Sequence, residues 1–162
     1  MKRGLIAYYS RTGYTASLAT EVAGMTGWDC VEIKDLHPRD GAWGQLRCVL
    51  DVLLHRRPRI EFQDRPMDHY ETVILAAPVW LQSLASPMRT FIAKHRGHFP
   101  AVAYLCTYGG RGAEKAARQA AEMAGAPLVA MLAVTSHELE QGDYRWRLDE
   151  FLKKLHAFRI GP

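Results

Sequence analysis

The chain has 162 residues, 48% of them apolar and 23% charged, with a formal net charge of +4 at pH 7. That length and apolar share predict one compact domain over residues 1–162 and exclude a disordered or fibrous chain. The basic balance suits acidic partners but comes without a recognisable nucleic-acid module. Cys30, Cys48 and Cys106 form no CxxC pair and supply no disulfide framework. No apolar run reaches membrane-spanning length, so a soluble cytoplasmic protein is expected.

The first predicted element is a buried strand, Gly4 to Tyr9, followed from Thr15 by a helix whose face carries Leu18, Ala19 and Val22. A short second strand covers Cys30 to Ile33. A helix then runs to His55, with Trp43, Leu46, Leu50, Leu53 and Leu54 on its inner face and the basic run His55 to Arg59 at its end. The third strand is the apolar run Thr72 to Ala77, of the kind covered on both faces in a parallel sheet. A loop follows it to Pro87, and Ser86 is read as the N-cap of a helix with Pro87 at its first position and Met88, Phe91 and Ile92 on one face.

The fourth strand is Ala101 to Cys106. After Gly109-Gly110-Arg111-Gly112 comes an alanine-rich helix that stops at Gly125. Leu128 to Val134 is the fifth strand, and a closing helix from about Asp143 buries Tyr144, Leu148, Phe151, Leu152 and Leu155. Five alternations of strand and helix predict a doubly wound α/β domain. In such a sheet a ligand sits beyond the carboxyl ends of the strands, so the turns after strands one, three and four are where function is expected.

The first of these turns, Ser10-Arg11-Thr12-Gly13-Tyr14-Thr15, crowds three hydroxyls and a glycine against a helix start. Unpaired amides and the positive end of the helix dipole draw an anion there, and Ser10, Thr12 and Thr15 add donors. The turn has neither the G-x-x-x-x-G-K-[ST] of a nucleotide P-loop nor the G-x-G-x-x-G of a dinucleotide fingerprint. A phospho-receiver would need carboxylates near the ends of strands one and three, where this chain has Tyr9-Ser10 and Ala77-Pro78. The second turn offers Pro78, Val79, Trp80 and Leu81, with Trp80 a stacking surface for a flat ring. The third offers Thr107, Tyr108, Gly109 and Gly110, whose glycines allow close backbone approach.

Ser-x-Thr-Gly-x-Thr after the first strand, with Pro78-Val79-Trp80 and the glycine turn in the right places, resembles the flavodoxin-like FMN-binding proteins of the short-chain type. The resemblance spans nearly the whole chain. It implies a flavodoxin-like three-layer sandwich with a five-stranded parallel sheet in the order 2-1-3-4-5. It also implies FMN as cofactor, its phosphate on residues 10–15 and its ring between the second and third turns. Typical electron-carrying flavodoxins are strongly acidic, whereas this chain is basic and has Gly109-Gly110-Arg111 where many carriers have acidic residues. The implied function is therefore an FMN-dependent reductase with NAD(P)H as donor and a quinone or similar small acceptor. The alternative is a one-electron carrier docking a redox partner protein. No side chain is expected to act as nucleophile or base, no metal site is expected, and the oligomeric state is left open.

Overall fold

The computed structural model describes residues 4–37 and 39–159. Its central sheet is built from β1 (Gly4–Tyr8), β2 (Asp29–Glu32), β5 (Thr72–Trp80), β7 (Val102–Tyr108) and β8 (Leu128–Thr135). All neighbouring pairs are parallel and the order is β2-β1-β5-β7-β8. With the minor strands left out of the count, this is the expected 2-1-3-4-5 order. The minor strands are β3 (Lys34–Asp35) paired with β4 (Ile60–Glu61), and β6 (Ser83–Leu84), antiparallel to the end of β5.

Strand alternation divides the core between the two faces of the sheet. Ile6, Ile74, Ala76, Leu105 and Leu132 turn toward Leu18 and Val22 of α1 (Tyr14–Thr26) and Leu148, Phe151 and Leu155 of α6 (Arg145–Arg159). Leu5, Ala7, Leu75 and Tyr104 turn the other way, onto Met88 and Phe91 of α3 (Ser86–Lys94) and the alanine face of α4 (Ala113–Ala124). Small residues on α4 let that helix lie close to the sheet. α2 (Gly41–Leu53) packs beside α3 and β5.

Four expectations change. Trp43, Leu46, Leu50, Leu53 and Leu54 are exposed, and α2 instead buries Gly44, Cys48, Asp51 and Val52. A Cβ on Gly44 would stand 1.9 Å from the Arg39 carbonyl oxygen, and buried Arg39 donates to Asp51, so backbone contact and charge set this helix's rotation. Hydrophobic periodicity sees neither. Ser86 is not a cap: Ala85 is the N-cap of α3, and the Ser86 hydroxyl, already within the helix, faces Arg39 and Asp51.

The third strand does not end at Ala77 but runs to Trp80 and folds back as a hairpin, so Pro78, Val79 and Trp80 are strand residues. Pairing with β6 supplies backbone partners that keep it extended. An additional helix, α5 (Ser136–Gln141), precedes the closing one. A capping box starts it, the Thr135 hydroxyl accepting from the Glu138 amide while the Glu138 carboxylate accepts from the Thr135 amide.

Tyr144, which donates to Glu21 and so joins α6 to α1, has its hydroxyl pushed up to about 12 by burial and by that bond. Burial likewise pushes the Cys106 thiol up to about 12. Both groups hold their protons more tightly folded than unfolded. Their contribution is complete below the ordinary values of 10.0 and 9.0 and is lost as pH climbs from there through about 12. The urea midpoint should therefore fall between pH 9 and 11.5, and less steeply in Tyr144→Phe. Equal slopes in the two proteins would remove Tyr144 from this effect.

Candidate functional site

The carboxyl ends of β1, β5 and β7 lie side by side, with Tyr8 paired to Ala76 and Pro78 paired to Thr107. Their turns consequently meet. The Ser10 hydroxyl accepts from the Gly13 amide at 3.0 Å, closing the first turn, and Gly13 takes a φ of 95° to start α1. No side chain caps that helix, so its leading amides keep their donor capacity. Thr12 is exposed beside them.

Thr15 is buried, its hydroxyl 2.7 Å from that of Thr107. Such a pair uses one proton for the bond and has a second left to donate. The same contact ties the end of β7 to the start of α1. Tyr14 points elsewhere, donating to Glu140 at 2.5 Å, and only its backbone faces the turn. The Arg11 Nε–H donates to the Arg39 carbonyl at 3.1 Å, anchoring this arginine toward α2.

The second turn is a two-residue reversal in which Leu81 and Gln82 both adopt positive φ, 47° and 56°. Such primed turns match the twist of a hairpin but usually contain glycine or asparagine, so the surroundings must hold this one. Gln119 Oε1 accepts from the Leu84 amide at 3.0 Å and from the Ser83 hydroxyl at 2.8 Å. Buried Arg89 donates to Ser83 at 2.6 Å and to the Leu84 carbonyl at 3.2 Å. Gly112, φ 88°, completes the support, since a Cβ there would come within 2.4 Å of Gln82 Cα.

Trp80 is half-buried, its ring edge-on to Tyr9 at 5.6 Å and 88°. The Arg39 guanidinium lies 5.2 Å from the indole centre. Arg39 is itself clamped between the carboxylates of Asp35 and Asp51, the latter at 2.6 Å. Burial alone would lower its pKa, but the bonds from Asp51 and Asp35 outweigh that and hold it firmly charged.

Between the hairpin tip and the third turn lies a cavity of about 470 Å³ lined by Val79, Leu81, Gln82, Gly109, Gly110 and Arg111. It holds one cation and no carboxylate. Nothing lies within 4 Å of where a Cβ would stand on Gly109 or Gly110, so a ligand can approach that backbone closely. Tyr108 is half-buried against the core on the α4 side. A larger cavity, about 600 Å³ around Phe62, Met67 and His95, lies at the amino ends of the strands, away from these turns.

A family model described as Flavodoxin matches residues 3–132. The chain belongs to this flavodoxin family. No curated protein matches it in sequence. Among solved structures, it resembles a flavoprotein from Lactobacillus acidophilus NCFM in complex with FMN, at 20% identity and TM-score 0.73, covering 87% of this chain and 98% of that one. It resembles equally a protein from Bacteroides eggerthii DSM 20697 described as a flavoprotein, at 22% identity and TM-score 0.74, covering 94% and 99%. A weaker likeness is to the Trp repressor binding protein from Bacillus subtilis, at 12% identity and TM-score 0.53, covering 88% and 93%. These likenesses establish the flavodoxin fold, whose first, second and third turns in this member are the ones described above.

Sequence reasoning missed Arg39, Asp51, Ser83, Arg89 and Gln119 as supports of the flavodoxin turns. A glutamine on the buried face of an alanine-rich helix was the one available signal, because a core-facing amide needs a polar partner.

Proposed function

We propose that this flavodoxin-family protein binds FMN and works as an FMN-dependent oxidoreductase, reducing a quinone or similar small acceptor with NAD(P)H. The observation that carries the reading is the joint placement of two fitting receptors. One is an uncapped helix start ringed by hydroxyls, suited to a dianionic phosphate; the other is a glycine-walled cavity suited to a flat ring. FMN, when bound, supplies the redox chemistry that no side chain here offers.

The chain's own residues then have separate tasks. The amides of residues 14–16 and the hydroxyls of Thr12 and Thr15 hold the phosphate, with Ser10 keeping the turn closed around it. Gly109 and Gly110 admit the ring, and Leu81 and Gln82 wall its other side. Trp80, edge-on to Tyr9 and beneath the Arg39 guanidinium, does not line that cavity, so its stacking on the ring rests on its place at the end of β5 alone. Arg111 lends positive charge to an acidless cavity, which supports a site that receives small anionic or electron-rich molecules over an acidic docking surface.

The test pairs Thr12→Ala with Thr15→Val, which removes two hydroxyls and conserves the buried volume. At ~1.5–3 kcal/mol for each hydrogen bond to a charged group, FMN affinity should fall by tens to thousands of fold, while riboflavin, which lacks the phosphate, changes little. Equal losses for both ligands would remove this turn from phosphate binding. Turnover of NADH and NADPH with and without a quinone separates a reductase from a carrier, and no acceptor-dependent oxidation would overturn the reductase assignment.

A further inference from the structure

The rotation of α2 leaves an apolar stripe facing outward on a helix that is otherwise well anchored. Trp43 is 83% exposed, Leu46 46%, Leu50 38%, Leu53 64% and Leu54 57%. Their spacing of three, four and three from Trp43 to Leu53 is the heptad seam of a coiled coil. With a free tryptophan offering ~250 Å² and a leucine ~180 Å², these side chains expose on the order of 600 Å² of continuous surface, at the upper end for a monomer.

We propose that this stripe is the interface of a two-fold homodimer in which α2 packs antiparallel against α2 of a second copy. The outward positions 43, 46, 50 and 53 pair among themselves by symmetry about residue 48, and Leu54 falls opposite exposed Ala42. Leu46 then faces Leu50, Trp43 faces Leu53, and exposed Asp40 before the helix faces exposed Arg56 after it. Each layer occurs twice, so the apolar contact and the Asp40–Arg56 charge pairing are both self-complementary, as an isologous interface requires. Doubling the stripe yields on the order of 1,200 Å², above the ~1,000 Å² expected of a specific interface.

The ends of α2 are built to keep this face presented. At its amino end Gly44 sits on the Arg39 backbone, and at its carboxyl end the His55 amide donates to the Val52 carbonyl and the Arg56 amide to the Asp51 carbonyl. That paired closure, with His55 at φ 49°, positions Arg56 just beyond the last turn. Asp51 and Cys48 hold the opposite side of the helix in the core.

Sedimentation velocity of the full chain from about 1 to 200 µM should give twice the 18.3 kDa chain mass. Leu50→Glu would set a carboxylate against Leu46 of the other copy twice over and should weaken association at least ~100-fold, with unchanged circular dichroism because Leu50 contributes little to the core. Asp40→Lys and Arg56→Glu should each weaken the dimer several-fold, and the combined charge swap should restore it, with urea unfolding of Arg56→Glu at a monomeric concentration separating this from any loss through the 3.9 Å approach of Arg56 to buried Asp51. A chain that stays monomeric to 200 µM overturns the proposal and leaves the stripe to a different protein. So does a dimer indifferent to Leu50→Glu, and a charge swap whose losses simply add rules out the antiparallel register.

Discussion

Arg39→Met is expected to cost the fold about 3–5 kcal/mol, the range for deleting one partner of a buried ion pair. The methionine fills most of the volume but strands the carboxylates of Asp35 and Asp51, both buried in their side chains. Arg47 and Arg56 approach Asp51 at 3.8 and 3.9 Å, which holds the loss toward the lower end of that range. Because the same guanidinium covers Trp80, the tryptophan emission of the folded variant should change as well. Arg39→Lys keeps the charge but not the two-pronged geometry and should recover only part of the loss. Urea unfolding at pH 7 measures this directly, and a loss below about 1 kcal/mol for Arg39→Met would show that the cluster is not the anchor described.

Gly112→Ala is expected to cost about 2–4 kcal/mol, from a positive φ that alanine tolerates poorly and a Cβ driven into backbone. The atom it meets is Gln82 Cα at 2.4 Å, which cannot rotate away as a side-chain tip could. The hairpin tip must therefore shift, and with it the wall that Leu81 and Gln82 give the cavity proposed for the flavin ring. FMN affinity should fall along with stability. Gly110→Ala is the control, since Gly110 has φ 100° but open space where the Cβ would go. It should show the backbone cost alone. Equal destabilisation by the two substitutions would mean that the hairpin does not rest on Gly112.

The parts of the candidate site that could be read in the chain are those built from consecutive residues. Ser10 to Thr15 announce themselves because a helix start, a glycine and hydroxyls must be neighbours in sequence to make an anion receptor. Gly109, Gly110 and Gly112 are legible for the same reason. What holds these turns in place was not legible. Arg89 and Gln119 reach Ser83 and Leu84 across 5 to 36 positions of chain, and no local pattern encodes that meeting.

The alternation of apolar strands with amphipathic helices by itself determined the doubly wound parallel sheet, because burial on two faces and right-handed crossovers leave few other arrangements. Its 2-1-3-4-5 order followed from the resemblance that Ser10 to Thr15 carry. Only the tertiary structure decided which way α2 turns. Periodicity marks an apolar stripe but not what covers it. Here the Gly44–Arg39 backbone contact and the Arg39–Asp51 charge pair point the other side of the helix inward. The leucines and Trp43 that sequence assigned to the core are consequently left at the surface, because a close backbone approach and a buried ion pair are contacts between residues that hydrophobic spacing does not describe.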